Sequence, residues 1–124
     1  MNVKIDTREK FHVVTPVDDT LSANMTAELC PRLLGLLQEA VKNVVMNMKA
    51  VNTIEPAAAE ELMKVQQTFY ENNASFVICE LTEAVEKILD ESELLEIMNT
   101  TPTESEAWDI VQMEEIEREF LDDM

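Results

Sequence analysis

The sequence has very little glycine and histidine, and this excludes several kinds of site. Its single glycine, Gly35, lies in a stretch with helical spacing, so no glycine-rich loop can cradle a phosphate group. Its single histidine, His12, stands in a strand-like stretch, and we expect it at the surface or sheet edge, not as a base or ligand. With only two cysteines in addition, the chain has no Cys/His cluster for structural zinc, and we expect neither a metal site nor a cofactor.

Cysteine is equally scarce, and its placement argues against nucleophilic chemistry. Cys30 and Cys79 lie in apolar segments far apart in the sequence. Burial raises the pKa of a thiol and makes it inert, so we expect two small buried hydrophobes in a reducing cytosol, not a disulfide. Carboxylate pairs are common, but in a chain with 26 acids they are mostly solvated. The sequence therefore predicts no catalytic residues and no enzyme.

Basic residues are few: 9 Lys and Arg face 26 Asp and Glu, which gives a formal net charge of −17. Such a surface repels nucleic-acid phosphates and anionic lipid headgroups, and it favours a protein partner with a basic face. The alternative is that the acidity only maintains solubility. No apolar run is long enough to cross a bilayer and no apolar signal core is present, so we expect a cytoplasmic protein without direct membrane insertion.

Strand-like and helix-like stretches alternate along the chain. We expect one domain over residues 1–124, with an α/β fold in which a mixed four- to five-stranded sheet is layered with about four helices. Pro31 is expected to kink the first long helix or delay its start, and Asp18 to Thr20 to form a polar loop. The predicted strands are Val3–Ile5, Phe11–Pro16, Val44–Met48, Phe76–Cys79 and Glu96–Thr100, and the predicted helices are Asn24–Val41, Pro56–Glu71 and two that follow the caps Thr82 and Thr103.

The segment 44–62 carries most of the functional information. Val44–Met48 is short and apolar, which is typical of a buried strand. Pro56 suits the first position of a helix, because its fixed φ fits there and its missing N–H leaves no bond unmade. From these residues alone, the segment is a well-formed helix start with no further role.

The same segment resembles the central motif of STAS domains, the small regulatory domains of anti-sigma factor antagonists. In that family the strand is followed by an acidic residue, a phosphorylatable Ser or Thr, a small residue and a glycine. Glu55 matches the acidic position, Pro56 stands where the hydroxyl belongs, Ala57 is the small residue and Ala58 replaces the glycine. We expect the extra methyl of Ala58 to obstruct close approach. The order of elements is similar too, so the resemblance covers almost the full length.

The resemblance implies a STAS-like fold and a non-catalytic role in partner switching and transcription regulation. Glu55, Pro56, Ala57 and Ala58 would then bind a serine kinase-like protein that is also an anti-sigma factor. In such circuits phosphorylation adds negative charge and releases the complex. Because Pro56 is a degenerate phosphosite without a hydroxyl, the resemblance implies a constitutive or differently regulated binder. The alternative that it implies is a cytosolic accessory subunit of a membrane lipid ABC transporter.

Three nearby hydroxyls, on Ser22, Thr53 and Ser75, stay open as substitute phosphosites, although each is expected to be a cap or turn residue.

The last helix is predicted to extend beyond what the sheet needs. Ala107, Ile110 and Val111 suffice to cover the sheet. We expect the further apolar residues to pack back on the domain, because exposed apolar patches are usually avoided. The alternative is a stripe for a partner or for a second copy of the chain, as in a homodimer. These further residues are Met113, Ile116, Phe120 and Leu121.

Overall fold

A five-stranded mixed sheet forms the centre of the computed structural model, which describes residues 2–122. The strands of the domain are β1 (Val3–Thr7), β2 (Phe11–Pro16), β3 (Thr20–Leu21), β4 (Asn43–Asn47), β5 (Thr53–Ile54), β6 (Phe76–Cys79) and β7 (Thr100–Thr101). The five-stranded sheet has the order β1-β2-β4-β6-β7, in which β1 pairs antiparallel with β2 and the other pairings are parallel. β3 and β5 form a separate two-stranded ribbon.

Helices cover both faces of this sheet, as the alternation of buried residues requires. One face, which includes Val44 and Met46 of β4, packs against the first three helices, and the other face, which includes Val45, packs against the last. The described helices are α1 (Ala23–Gly35), α2 (Pro56–Glu71), α3 (Glu83–Glu91) and α4 (Glu104–Asp122), with a 3-10 turn at Leu36–Gln38. The predicted fold class, a mixed sheet layered with about four helices, is confirmed.

Local sequence signals place several boundaries where they were predicted. The strands Phe11–Pro16 and Phe76–Cys79 and the helix Pro56–Glu71 have the predicted limits. α2 ends because Asn72 is its C-cap and Asn73 adopts a left-handed φ of 59°, a conformation that asparagine tolerates well. Thr82 caps α3 by accepting a bond from the amide of Val85 at 3.4 Å.

Other boundaries differ from the prediction. α1 begins at Ala23, so Pro31 does not delay its start, and the helix ends at Gly35, well before the predicted Val41. The predicted polar loop includes Thr20, which pairs in β3. The predicted edge strand Glu96–Thr100 is reduced to Thr100–Thr101. β3 and β7 have two residues each, so the neighbouring strands that bond to them define them more than their own composition does.

The surface placement of His12 is wrong. The residue is buried, with its imidazole between the Thr7 hydroxyl at 2.8 Å and the Val41 carbonyl at 2.7 Å. Because both ring nitrogens have partners, this polar side chain can lie inside the domain. It is a satisfied structural histidine at the β1–β2 side of the sheet.

The expected packing of the distal half of α4 is also wrong. The exposed fractions are 56% for Met113, 64% for Ile116, 68% for Phe120 and 67% for Leu121. Ala107 and Val111 are buried as predicted and Ile110 partly so, which means that the apolar contact with the sheet core ends at Val111. Thr103 caps the helix, with its hydroxyl accepting from the Glu106 amide at 3.2 Å.

No helix within residues 2–122 has the length and hydropathy needed to cross a membrane. No group of three or more histidine, cysteine, aspartate or glutamate side chains within that range could hold a metal ion.

Candidate functional site

Within residues 2–122, all four helices begin at the same edge of the sheet, where the parallel strands end. In open α/β sheets, this edge is where ligands and partners usually bind, because loops there are free to vary without disturbing the core. The segment 52–58 lies at this edge and includes β5, Glu55 and the first residues of α2.

The β3–β5 ribbon fixes the position of this segment. The backbone amide of Asn52 donates to the Asp19 carbonyl at 2.7 Å, and its side-chain amide donates to the Asp19 carboxylate at 2.6 Å. The amide of Glu55 donates to the carbonyl of Leu21 at 3.0 Å. The loop that precedes α2 is therefore held against the loop that precedes α1, and the two helix starts are adjacent.

Glu55 has a structural role that links the two helices. Its carboxylate accepts a hydrogen bond from the backbone amide of Ala23, the first residue of α1, at 2.7 Å. A carboxylate is favourable there because the N-terminus of a helix carries partial positive charge. Ser22 caps the same helix end by accepting from the Met25 amide at 3.3 Å. Glu55 therefore stabilises α1 while it stands as the residue before α2.

The first turn of α2 presents small side chains and exposed backbone. Glu55 occupies its N-cap position without a side-chain bond to the helix, and Pro56 follows as the first helical residue. The Ala59 amide donates to the Glu55 carbonyl at 3.1 Å. The start of the helix is an accessible surface, because three consecutive residues there are exposed: Glu55, Pro56 and Ala57.

Ala58, which the sequence places on the docking surface, lies in the interior of the domain. Its side chain is fully buried and belongs to the core that also contains Ala59 and Leu62. The methyl that stands in place of the family glycine therefore points into the domain, where it cannot obstruct a partner that approaches from outside. The accessible part of the predicted site is formed by Glu55, Pro56 and Ala57.

The three candidate hydroxyls differ in accessibility. Ser75 is buried, and its hydroxyl accepts a bond from the Arg118 guanidinium at 3.1 Å. Ser22 is half-buried and is engaged as a helix cap. Thr53 is exposed and lies three residues before Pro56. Of the three hydroxyls, that of Thr53 is therefore the accessible one, and it lies near Pro56.

Acidic side chains surround this surface. Asp19 precedes the ribbon and Glu60 lies one turn into α2, and both are exposed like Glu55. Lys49 is an exposed cation in the loop that leaves β4. Three carboxylates and one ammonium give the edge a negative character, in keeping with the net charge of the chain.

The thiols do not contribute chemistry here. Burial, together with the Glu61 carboxylate, raises the pKa of Cys30 to about 11. Burial, with the Glu104 and then the Glu80 carboxylates, raises the pKa of Cys79 to about 12. Both cysteines are free and buried, so each thiol remains protonated and unreactive near neutral pH.

Sequence reasoning missed two long-range caps at this edge. One is the bond from Ala23 to Glu55, and the other is the bond from the Glu104 amide to the Glu80 carboxylate at 2.9 Å, which caps α4. Glu80 adopts a left-handed φ of 57° at the end of β6. Neither pairing has a local sequence signature, because each joins segments that only the folded sheet brings together.

Comparison with known proteins gives a consistent result. A family model described as the STAS domain matches residues 2–107. A search of curated protein sequences finds no match.

Solved structures share the fold over nearly the whole chain. A Thermotoga maritima protein described as an anti-sigma factor antagonist has a TM-score of 0.74 and 16% identity, over 89% of this chain and 94% of that one. An anti-sigma-factor antagonist (STAS) domain protein from Planctomyces limnophilus has a TM-score of 0.76 and 16% identity, over 89% and 97%. The Bacillus antagonist SpoIIAA in its unphosphorylated form has a TM-score of 0.71 and 15% identity, over 90% and 96%.

At identities of 15–16%, these structures establish a shared fold and nothing finer. The family model matches most of the chain, including β1 to β7 and the first turn of α4. The chain belongs to the STAS domain family.

Proposed function

We propose that this protein is a non-catalytic regulatory module that acts in the cytoplasm as an anti-sigma factor antagonist does, by binding a serine kinase-like anti-sigma factor. The observation that carries this proposal is the exposed, small-residue start of α2 in a chain of the STAS family. The antagonist fold of the similar structures supports the same assignment.

The proposed docking surface consists of Glu55, Pro56 and Ala57, with Ala58 supporting it from inside. A partner could approach the backbone there closely, because proline and alanine project little beyond the helix. The ribbon bonds of Asn52 and Glu55 hold the segment in place before a partner arrives, so little conformational freedom is lost on binding. The acidic surroundings favour a partner surface that is basic.

In the proposed function, phosphorylation of residue 56 does not regulate binding. Pro56 has no hydroxyl, so a kinase partner could not release this protein by phosphorylating residue 56. Ser75 is buried and Ser22 is engaged as a cap, which leaves Thr53 as the accessible neighbour. Because residue 56 is a proline, we propose a constitutive binder in which ATP does not dissociate the complex, and phosphate on Thr53 is the outcome that would contradict it.

The alternative function, an accessory subunit of a lipid transporter, would use the same fold. No contact, charge or cavity among the described residues favours it over the antagonist assignment. Copurification with a transporter ATPase, in place of a small kinase-like ATPase, would support this alternative.

A binding titration tests the proposal. The probe is a purified kinase-like anti-sigma factor from the same organism. The variant is Ala57→Arg, which adds bulk and positive charge to the exposed first turn of α2. The matched control is Tyr70→Arg, on the exposed C-terminal end of the same helix, about 20 Å away along its axis. We expect Ala57→Arg to weaken binding about tenfold or more, because the added side chain blocks close approach and its charge opposes a basic partner. Equal affinities of the two variants would mean that the loop is only structural.

A further inference from the structure

The distal half of α4 has a polar inner side, and this explains why its apolar residues face outward. Ala107 and Val111 pack on the sheet. One to two turns later, the same side of the helix carries Glu114, Glu115 and Arg118. The inward stripe therefore changes from apolar to charged, while the helix continues without a break to Asp122.

Hydrogen bonds fix this charged stripe to the opposite edge of the sheet, where the parallel strands begin. Glu115 accepts from the Asn43 side-chain amide at 2.7 Å, and Arg118 donates to the Ser75 hydroxyl at 3.1 Å. Glu114 accepts from the Asn99 side-chain amide at 3.2 Å. These contacts set the rotation of the helix, so the opposite side must face solvent.

That outer side carries an apolar ridge. Met113, Ile116 and Phe120 are spaced three and four residues apart, so they align on one face of the helix. Leu121 borders the ridge, and together with Ile116 and Phe120 it lines a shallow cleft. More than half of each of these side chains is exposed, which is unusual for neighbouring large hydrophobic residues.

The charges beside the ridge indicate what can cover it. The exposed charged residues on this part of α4 are Asp109, Glu117 and Glu119, all acidic, and the one basic residue of the helix is Arg118, which points inward. A second copy of the chain would place acids against acids between two molecules that each carry a formal charge of −17. A segment with an apolar stripe bordered by Lys or Arg would complement both features.

We propose that the ridge Met113–Ile116–Phe120 binds a basic amphipathic helix of another protein, in the manner of a helix laid against an apolar groove. This surface lies on the opposite face of the sheet from α2. The protein therefore has two separate docking surfaces, one at the start of α2 and one on α4, and both can be occupied at once.

A synthetic peptide tests this directly. The probe is a fluorescent helical peptide of about 18 residues, with leucines on one face and lysines beside them, titrated at about 0.15 M salt to limit unspecific charge attraction. The protein variant is Ile116→Gln with Phe120→Gln, and the matched control is Tyr70→Gln, which removes an equally exposed apolar side chain from α2. We expect the double variant to bind at least about tenfold more weakly than the control, because two apolar contacts are lost.

Chemical-shift mapping on the unchanged chain provides evidence independent of the variants, and we expect the peptide to shift the signals of the ridge. The proposal would be overturned if the double variant bound the peptide as tightly as the control variant does, or if a scrambled peptide of the same composition bound as tightly as the designed one. It would also be overturned if the chemical-shift changes were confined to other surfaces, or if the ridge bound zwitterionic vesicles and not the peptide. A dimer in light scattering that the double variant abolishes would also overturn it, by identifying a second copy as the occupant.

Discussion

Two neighbouring alanines at the start of α2 offer a sharp test of the site geometry. Ala57 is exposed, whereas Ala58 is fully buried. Replacing either by arginine adds the same side chain and the same charge to the same helical turn. Alanine and arginine also have similar helix propensities, so local effects on the helix are nearly equal. Any difference in stability between the two variants therefore reports the surroundings of the two positions.

The expected loss in the free energy of unfolding at each position follows from how deeply that position is buried. At position 58, an arginine must displace core neighbours, which costs about 1–3 kcal/mol, and an unpaired guanidinium near the core adds a further penalty. We expect Ala58→Arg to lower the free energy of unfolding by about 3–5 kcal/mol in total, a large share of the 5–15 kcal/mol typical of a domain. Ala57→Arg should stay within about 0.5 kcal/mol of the original chain.

Urea denaturation followed by circular dichroism measures both variants. The expected result is a clearly lower midpoint for Ala58→Arg and an almost unchanged midpoint for Ala57→Arg. Equal midpoints, or a lower one for Ala57→Arg, would refute the orientation of α2 described above. The result also decides which variant can be used for binding experiments, since only a folded variant reports on docking.

Three further predictions concern contacts elsewhere. Glu55→Ala should lower the free energy of unfolding by about 1 kcal/mol in urea denaturation, because the Ala23 amide loses its acceptor. Glu55→Gln should retain most of the stability, and equal losses in the two variants would contradict this role of Glu55. Arg118→Ala should lower the free energy of unfolding by about 1–2 kcal/mol, since the buried side chains of Ser75 and Asn43 lose a hydrogen-bond donor. An unchanged urea midpoint would argue that Arg118 does not anchor α4. The raised pKa values of Cys30 and Cys79, about 11 and 12 against an ordinary 9.0, predict that stability falls as the pH rises above 9, because the unfolded thiols ionise first. A double Cys→Ala variant should show a weaker pH dependence between pH 8 and 10, and identical slopes would contradict the prediction.

The parts of the fold that could be predicted from sequence are those with strong local signals. α2 begins at a proline in a favourable position and ends at two asparagines, so both limits are set by neighbouring residues. The burial of Ala58 was predictable in principle, because it precedes Leu62 by one helical turn on the stripe that continues to Val65 and Phe69.

Other features depend on tertiary contacts that no local pattern contains. The β3–β5 ribbon has two residues per strand, and the bond between Ala23 and Glu55 joins positions 32 residues apart. His12 is buried because the Val41 carbonyl, on a distant loop, satisfies its ring. The outward apolar ridge of α4 follows from the partners of Glu115 and Arg118, which only the folded sheet supplies.

The most direct test of the central claim is whether ATP dissociates a complex between this protein and a kinase-like anti-sigma factor. The complex is formed with purified proteins, incubated with ATP and Mg²⁺, and followed by size-exclusion chromatography and peptide mass spectrometry. We predict that the complex persists and that no stoichiometric phosphate is found, since Pro56 has no hydroxyl. Release of the complex together with stoichiometric phosphate on Thr53, Ser22 or Ser75 would contradict this account, because it would show that a phosphorylation switch operates at a different residue.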